Sequence, residues 1–281
     1  MDKNKEQIIK PGLYLISTPI GNMQDITFRA INILKKSDII LCEDTRRSFN
    51  LLSYYNIKKK LFSYHKFNEK KNSEKIINLI KENKVVSLIS DAGTPTISDP
   101  GLVLVKKCIQ QDLNVHPIPG SSAVIAAMSV SGFEDKFLFY GFLNKKENEL
   151  NKVLKSIANL DYSLIFFIPA NKINFYLNLF KKYFNNREIL IAKEITKIHE
   201  EFIRGKIDSI KPFPQEAKGE LTVIISKQVI KNNSKNVINE SVKLEIKKML
   251  KKYSHKDVVE YIVKKENLPK KLIYDYCLKI K

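Results

Sequence analysis

Four short clusters of small and polar residues each directly follow a stretch predicted as a β-strand. They occupy residues 18–22, 43–47, 91–95 and 119–123. Gly21, Gly93 and Gly120 would let the backbone approach a ligand closely, and Asp91 offers a carboxylate that accepts hydrogen bonds or faces a cation. The sequence has neither a G-x-x-x-x-G-K-[ST] run nor a G-x-G-x-x-G run after its first strand. The clusters therefore indicate a small ligand held by backbone contacts rather than a nucleoside triphosphate or a dinucleotide.

Alternating strand and helix patterns place these clusters at one edge of a sheet. Predicted strands at 13–17, 38–42, 60–64, 85–90 and 114–117 alternate with predicted helices at 27–36, 46–56, 69–83 and 102–111. This alternation is typical of a mostly parallel sheet with helices on both faces, and ligands bind such sheets beyond the carboxyl ends of the strands. A second series has strands at 137–141, 163–168, 188–192 and 220–226, and helices at 121–131, 147–158 and 172–183. We predict an α/β protein with domains at 11–119 and 120–228.

The last part of the chain has a different texture. Residues 227–239 are rich in Lys, Asn and Ser without periodicity, which is typical of a linker. Three short helical patterns follow at 241–252, 255–265 and 269–280. From residue 229 to the end there are 14 Lys and 6 acidic residues. We predict that 229–281 forms a linker and a small basic helical module.

The overall charge points to a polyanionic partner. Lys and Arg total 49 against 30 acidic residues, a formal charge of +19, and 43% of residues are hydrophobic. Nucleic acid fits this charge better than a membrane does, although a lysine-rich compositional bias would also produce it. Cys42, Cys108 and Cys277 are too scattered for disulfides or a metal site and are expected in cores. With no apolar segment at residues 1–10 and no long apolar run, we expect a cytoplasmic protein.

Several motifs together resemble those of the tetrapyrrole-methylase-fold enzymes. The closest resemblance is to the branch called ribosomal RNA small subunit methyltransferase I. The motifs that carry it are LYLISTPIGN at 13–22, EDTR at 43–46, SDAGTP at 90–95, DPG at 99–101, PIPGSSA at 117–123 and AKEITKIHEE at 192–201. The resemblance extends over nearly the whole chain from Gly12, and the first three motifs in combination are highly specific.

The resemblance implies a methyltransferase that binds S-adenosyl-L-methionine in a cleft between two α/β domains. It also implies that the 2′-hydroxyl of a cytidine in the decoding region of small-subunit (16S) ribosomal RNA is methylated, and that two copies form a homodimer. No metal is implied. The residues it assigns to cofactor binding are Pro19, Gly21, Asp91, Ala92, Gly93, Thr94, Pro95, Ser121, Ser122, Phe167, Lys193, Glu194 and Gly219.

On the basis of the resemblance, five residues are candidates for catalysis. Glu43, Asp44 and Arg46 are expected at the mouth of the cleft, where a carboxylate accepts the hydroxyl proton and Arg46 holds a phosphate. Alternatively, Asp44 caps the following helix and Arg46 is a solvated ion. His65 would contact RNA or take a proton, or else be structural. Glu200 would belong to the second-domain wall, or to an exposed polar turn.

One segment departs from the family pattern. The family usually has a Tyr-Glu-Ser-Pro-His-Arg-like run where this chain has residues 167–172, so Ile168 and Asn171 replace a carboxylate and an imidazole. This departure leaves open a non-catalytic rRNA-binding assembly factor, and a tetrapyrrole methylase is a second alternative. The helical module is predicted to dock on ribosomal RNA or a ribosomal subunit, although its apolar residues alone indicate only a small core.

Overall fold

The computed structural model describes residues 9–143, 146–214, 219–228, 238–266 and 268–280. The chain divides into two compact units, Met1–Gln228 and Val229–Lys281. Most of the predicted linker, residues 229–237, lies outside the described residues. Both sheets belong to the first unit, so the domain boundary at residues 119–120 stays a prediction.

The first sheet has five strands, and every neighbouring pair is parallel. Its order is β3-β2-β4-β1-β5. The strands are β1 (Gly12–Ile16), β2 (Ile39–Cys42), β3 (Leu61–Ser63), β4 (Val85–Ile89) and β5 (Val115–Ile118). The helices are α1 (Phe28–Lys36), α2 (Thr45–Tyr54), α3 (Glu69–Lys81) and α4 (Leu102–Gln110). All five residues of β4 are buried, and an apolar cluster lies on each face of the sheet. The predicted parallel sheet covered on both faces is confirmed.

The second sheet is mixed, with order β6-β7-β10-β8-β9. Only β6 and β7 pair in parallel, and the remaining pairs are antiparallel. The strands are β6 (Phe137–Phe142), β7 (Ser163–Pro169), β8 (Glu188–Lys193), β9 (Glu201–Lys206) and β10 (Glu220–Ile225). The helices are α5 (Ala123–Ser129), α6 (Glu147–Ile157) and α7 (Ile173–Tyr183). Strand β9 was not predicted: it is an edge strand with largely solvated side chains, so no buried apolar run marks it.

The second compact unit is a three-helix module. Its helices are α8 (Glu240–Met249), α9 (His255–Glu266) and α10 (Lys270–Lys279). They share a core built from side chains of all three helices, among them Ile246, Val258, Ile262, Ile273 and Cys277. The predicted helices and small core are therefore present. Cys42 and Cys108 are likewise buried and free, as expected.

None of the helices formed by the described residues is long and apolar enough to cross a bilayer.

Candidate active site

Hydrogen bonds join the loops at the carboxyl ends of the first sheet. Thr18 and Gly93 exchange two backbone hydrogen bonds, of 2.9 and 3.0 Å, between the loops after β1 and β4. The hydroxyls of Ser17 and Thr94 lie 2.9 Å apart, and Thr94 donates to the carbonyl of Ser121 after β5 at 3.3 Å. The backbone N–H of Asp44, after β2, donates to the Asp91 carboxylate at 3.2 Å. All four predicted clusters thus form one connected edge.

A cleft of about 670 Å³ opens between this edge and the second sheet, within the range of about 300–1,000 Å³ that is typical of small-molecule sites. Residues from both sheets line it. Of the predicted site residues, those lining it are Glu43, Asp91, Ala92, Gly93, Thr94, Ser122, Phe167, Glu194 and Gly219. The sequence-based expectation that distant loops meet at one rim agrees with this geometry.

The cleft is acidic although the protein is strongly basic. Among the described residues that line it, the carboxylates are Glu43, Asp91, Asp99, Glu194 and Glu220, and the cations are Arg47 and Lys197. Apolar side chains, including Ile20, Phe142 and Phe167, cover other parts of the wall. Charges gathered in a partly enclosed site attract opposite charge more strongly than solvated ones do. The cleft therefore suits a ligand that combines positive charge with an apolar ring.

Asp44 and Arg46 bind each other at the start of α2. The Asp44 carboxylate accepts from the backbone N–H of Arg46 at 2.8 Å and from the guanidinium Nε and Nη2 at 3.2 and 2.8 Å. The hydrogen bond from Arg46 holds the pKa of Asp44 well below its usual range. A carboxylate with a depressed pKa is a poor proton acceptor, so the geometry favours the capping alternative for Asp44. The Arg46 side chain is 88% exposed.

Glu43 and Asp99 have the opposite electrostatic character. Burial raises the pKa of Glu43, and the charge of Asp91 acts in the same direction. Burial raises the pKa of Asp99 to about 6, assisted by the charge of Glu43 and opposed by a hydrogen bond from Ser90. Because mutual repulsion among these carboxylates penalises their ionised forms, a cationic ligand between them would relieve it. Of the predicted catalytic acids, Glu43 is the one that lines the cleft with a raised pKa.

His65 is engaged by its own loop. Its Nδ1 lies 3.3 Å from the backbone N–H of Phe67, and its Nε2 lies 3.2 Å from the Asn68 amide nitrogen. That amide nitrogen also donates to the carbonyl of Ser63 at 3.1 Å. A neutral imidazole has one acceptor nitrogen, so only one of these N–H groups can donate to the ring in either tautomer. In both tautomers one ring nitrogen of His65 is held by its own loop, which favours the structural interpretation.

Several predicted residues lie away from the cleft wall. Pro19 and Gly21 line a neighbouring cavity. Pro95 is buried, and the Ser121 hydroxyl donates to the Asp25 carbonyl at 2.6 Å.

The two remaining predicted residues make local contacts in the second sheet and its following turn. Lys193 pairs with Glu201 at 3.6 Å. Glu200 accepts from the backbone N–H of Thr196 at 2.7 Å, which closes a turn, and it is not among the residues that line the cleft. The catalytic role predicted for Glu200 is thus not supported by its position.

The segment that departs from the family pattern leaves the cleft wall intact. Side chains alternate along β7, so Phe167 lines the cleft whereas Ile168 is fully buried in the core on the other face. Asn171 is exposed on a short 3-10 turn and is not among the cleft-lining residues. The substitution at 168 therefore removes no group from the described cleft, which weakens the case for a non-catalytic protein.

Strained backbone flanks the cleft on both sides. Glu194 and Thr196 have φ of 50° and 68° in the second-sheet wall, and Thr96 and Ser98 have φ of 72° and 68° in the loop that carries Asp99. Left-handed conformations are costly for residues other than glycine, above all for β-branched threonine, and tend to occur at functional sites. Both segments are thus held in the shape that the cleft requires.

Sequence reasoning gave no role to the lining residues Asp99 and Arg47, whereas Lys197, which also lines the cleft, was expected beside Glu200 in the second-domain wall. Arg47 pairs with Asp91 at 3.1 Å, and Lys197 pairs with Glu194 at 2.9 Å. Asp99 stands in a motif that the sequence made visible, and its neighbours with positive φ determine where it lies. Each ion pair links a carboxylate and a cation of the same wall.

Comparison with known proteins identifies the family. A profile described as "Tetrapyrrole (Corrin/Porphyrin) Methylases" matches residues 12–211. A protein of Rickettsia prowazekii (strain Madrid E) named "Ribosomal RNA small subunit methyltransferase I" is 44% identical over 98% of this chain and 99% of its own length. The chain belongs to the ribosomal RNA small subunit methyltransferase I family of tetrapyrrole methylases. The predicted family, fold and methyltransferase class are confirmed.

Other relatives agree with this membership. A Bacillus subtilis (strain 168) protein of the same name is 36% identical over 94% of this chain and 92% of its own length. A Thermotoga maritima protein of that name is 43% identical, over 76% of this chain and 97% of its own length. Among solved structures, diphthine synthase (TM-score 0.61, 13% identity, 76% of this chain and 89% of that one) shares the fold. The methyltransferase CobJ also shares the fold, with a TM-score of 0.59 and 16% identity over 77% of this chain and 94% of that one.

Proposed function

We propose that this chain transfers a methyl group from S-adenosylmethionine to the 2′-hydroxyl of a cytidine in the decoding region of small-subunit ribosomal RNA, in the cytoplasm. The observation that carries the proposal is the 44% identity over 98% of the chain to a protein named for methylation of small-subunit ribosomal RNA. The acidic cleft is the site where we expect this reaction to take place.

S-adenosylmethionine is the methyl donor, and the cleft suits it. The donor supplies a methyl group already activated by a positively charged sulfur, so the protein mainly has to align the reactants. Glu43, Asp91 and Asp99 provide negative potential for the sulfonium and ammonium groups. Phe142 and Phe167, whose ring centroids are 5.4 Å apart, provide apolar surface for the adenine.

Glu43 is the best-placed acceptor for the hydroxyl proton. It lines both the donor cleft and the adjacent cavity at the start of α2. Its raised pKa makes it a stronger base than Asp44, whose charge Arg46 neutralises. Arg46 keeps guanidinium N–H groups directed to solvent, and these can hold a phosphate of the RNA.

The helical unit serves as an accessory anchor for RNA. The match to the Thermotoga maritima relative covers 97% of that protein but only 76% of this chain. About a quarter of this chain therefore has no counterpart in a relative of the same name, so a segment of this size is not common to all proteins of that name. Lysines and exposed tyrosines such as Tyr253, Tyr261 and Tyr274 give the unit a surface suited to a nucleic acid backbone and bases.

A homodimer is the proposed assembly. The family resemblance implies it, and exposed apolar side chains such as Phe28, Phe49 and Ile125 offer surface that association would cover. Sedimentation equilibrium of the full chain tests this assembly directly, and a single species of monomer mass at micromolar concentration would contradict it.

The test of the activity is direct. The full chain is incubated with radiolabelled S-adenosylmethionine and small ribosomal subunits that lack the modification, and the labelled ribose is mapped by primer extension at low nucleotide concentration. One labelled cytidine in the decoding region supports the proposal. Label on a tetrapyrrole instead, or donor binding without transfer to any RNA, would replace it with one of the alternatives.

A further inference from the structure

A second cavity adjoins the donor cleft. It has a volume of about 520 Å³ and lies between the loops that follow β2 and β3. Glu43 and Asp91 line both this cavity and the cleft, so they form a shared wall. Arg46, Lys66 and Phe67 also line this cavity, but they do not line the cleft. Whatever occupies it lies next to the donor without occupying the donor's own space.

Phe67 is unusual because its ring is 94% exposed although it lines a cavity. Leaving a phenyl ring in water forfeits the free energy of burying it. The loop that carries Phe67 is nevertheless held in place, so the ring is kept at the surface. The loop is fixed: the His65 backbone N–H donates to Asn68 Oδ1 at 2.9 Å, and Asn68 donates to the Ser63 carbonyl at 3.1 Å. The His65 ring lies edge-on to Phe67, with centroids 6.0 Å apart.

Cations stand beside this cavity. Arg46 and Lys66 line it, and Lys70 and Lys71 lie in the first turn of α3, which follows the same loop. The acidic residues of α3 are bound elsewhere: Glu69 accepts from the Gly101 backbone N–H at 3.2 Å, and Glu74 pairs with Lys107. Cations beside the cavity and an exposed aromatic ring are the two elements that single-stranded nucleic acid sites combine.

We propose that this cavity is the subsite for the acceptor nucleotide, with the base stacked on Phe67, a phosphate held by Lys66 and Arg46, and the ribose at the wall formed by Glu43 and Asp91. Unstacked bases of single-stranded RNA are bound by aromatic side chains, and a nucleotide stacked on Phe67 would bring its ribose to the wall that the cavity shares with the donor cleft. The methyl-transfer part of this inference rests on the proposed function, whereas the binding of a nucleotide here does not.

The absence of tryptophan from the chain allows a direct binding test. Phe67→Trp introduces a single indole at the cavity, and Phe175→Trp introduces one on α7, where Phe175 is 44% exposed and is not among the residues lining the described cavities. Each full-length variant is titrated with short oligocytidylate at low salt, with fluorescence excited where tyrosine does not absorb. We expect saturable quenching at position 67 that weakens with added salt, and little change at 175. Equal responses, or none at 67, would overturn the subsite.

A kinetic test complements the binding test. Phe67→Ala should raise KM for small subunits by about 5- to 150-fold, the range that one lost base stack implies, with S-adenosylmethionine affinity unchanged. Phe67→Trp should restore KM. If Phe67→Ala leaves KM unchanged in an active enzyme, the subsite is refuted. If the unaltered chain methylates no subunit but quenching at 67 is seen, the proposed function fails while the subsite stands.

Discussion

Gly21 is where the first-sheet loops press against the second-sheet wall, and replacing it with alanine should separate the two. A Cβ at position 21 would lie 2.6 Å from Lys197 Cγ, 2.7 Å from Thr196 Oγ1 and 2.9 Å from the Ile195 carbonyl oxygen. The lysine side chain can rotate away, but the backbone carbonyl cannot. The Thr196 hydroxyl is buried without a hydrogen-bond partner among the described residues, so it has little room to move.

Overpacking of this kind costs about 1–3 kcal/mol. The three contacts all lie within the unit that forms the cleft, so moving the wall relieves them at the expense of the donor site. If about 1.4 kcal/mol of that cost appears in binding, affinity for S-adenosylmethionine falls about tenfold. We therefore expect Gly21→Ala to unfold at a lower urea concentration and to bind the donor about tenfold more weakly by isothermal titration calorimetry.

Gly205→Ala is the matched control. A Cβ there would lie 3.5 Å from Ile210 Cδ1, an ordinary contact, on an edge strand away from the cleft. This variant should keep the donor affinity of the unaltered protein. The reasoning is refuted if Gly21→Ala binds S-adenosylmethionine as tightly as Gly205→Ala does and unfolds at the same urea concentration.

Three further outcomes are expected. Glu43→Gln should lower kcat by about 10²–10⁴-fold, whereas Asp44→Asn, which keeps a capping oxygen, should change kcat less than about threefold. Single-turnover methyl transfer to small subunits compares the two variants. Equal losses of kcat would contradict the assignment of Glu43 as the proton acceptor. Because burial raises the pKa of Asp99 from 3.8 to about 6, the folded protein holds that proton more tightly than the unfolded chain. The free energy of unfolding should therefore decline as pH rises through this interval, by about 1–2 kcal/mol after allowance for solvent screening. Urea unfolding of Asp99→Asn should lack that component, and an unchanged pH profile would count against it. Deleting 229–281 should reduce subunit affinity and its salt dependence in filter binding, with donor affinity unchanged; parallel losses of both affinities would argue that the helical unit supports the cleft.

The first sheet could be predicted well because its strands are buried on both faces. A run such as β4, with five buried residues, has few other interpretations between two amphipathic helices. Because the strands of this sheet are parallel, the loops that follow them lie at the same edge. Strand β9 escaped because edge strands need no apolar face, and Arg204, Gly205 and Lys206 resemble a loop.

The site was predictable in its composition but not in its roles. Asp44 and Glu43 are adjacent in sequence, and only the fold shows that Arg46 neutralises the first while burial protects the second from solvent. Glu200 was expected in the cleft wall on the basis of the resemblance, yet its carboxylate accepts a hydrogen bond that closes a turn.

The positions of Asp99 and Phe67 were likewise beyond sequence reasoning. Asp99 reaches the cleft through left-handed residues at 96 and 98, which no propensity foretells. Nothing in the sequence marks Phe67 as exposed, because phenylalanine is usually buried, and the loop that carries it is held by hydrogen bonds of Asn68 to His65 and Ser63.

The concentration of carboxylates in the cleft bears on how the enzyme would clear its site after each cycle. Once the methyl group has left, sulfur is a neutral thioether, so the spent donor carries one positive charge fewer among the same acidic side chains. Its electrostatic attraction is smaller while its ring and sugar contacts are unchanged, and the spent molecule should escape faster than a fresh one. The same carboxylates repel the phosphates of RNA. The RNA can therefore place a ribose at the mouth of the cleft, while its backbone stays outside the donor site.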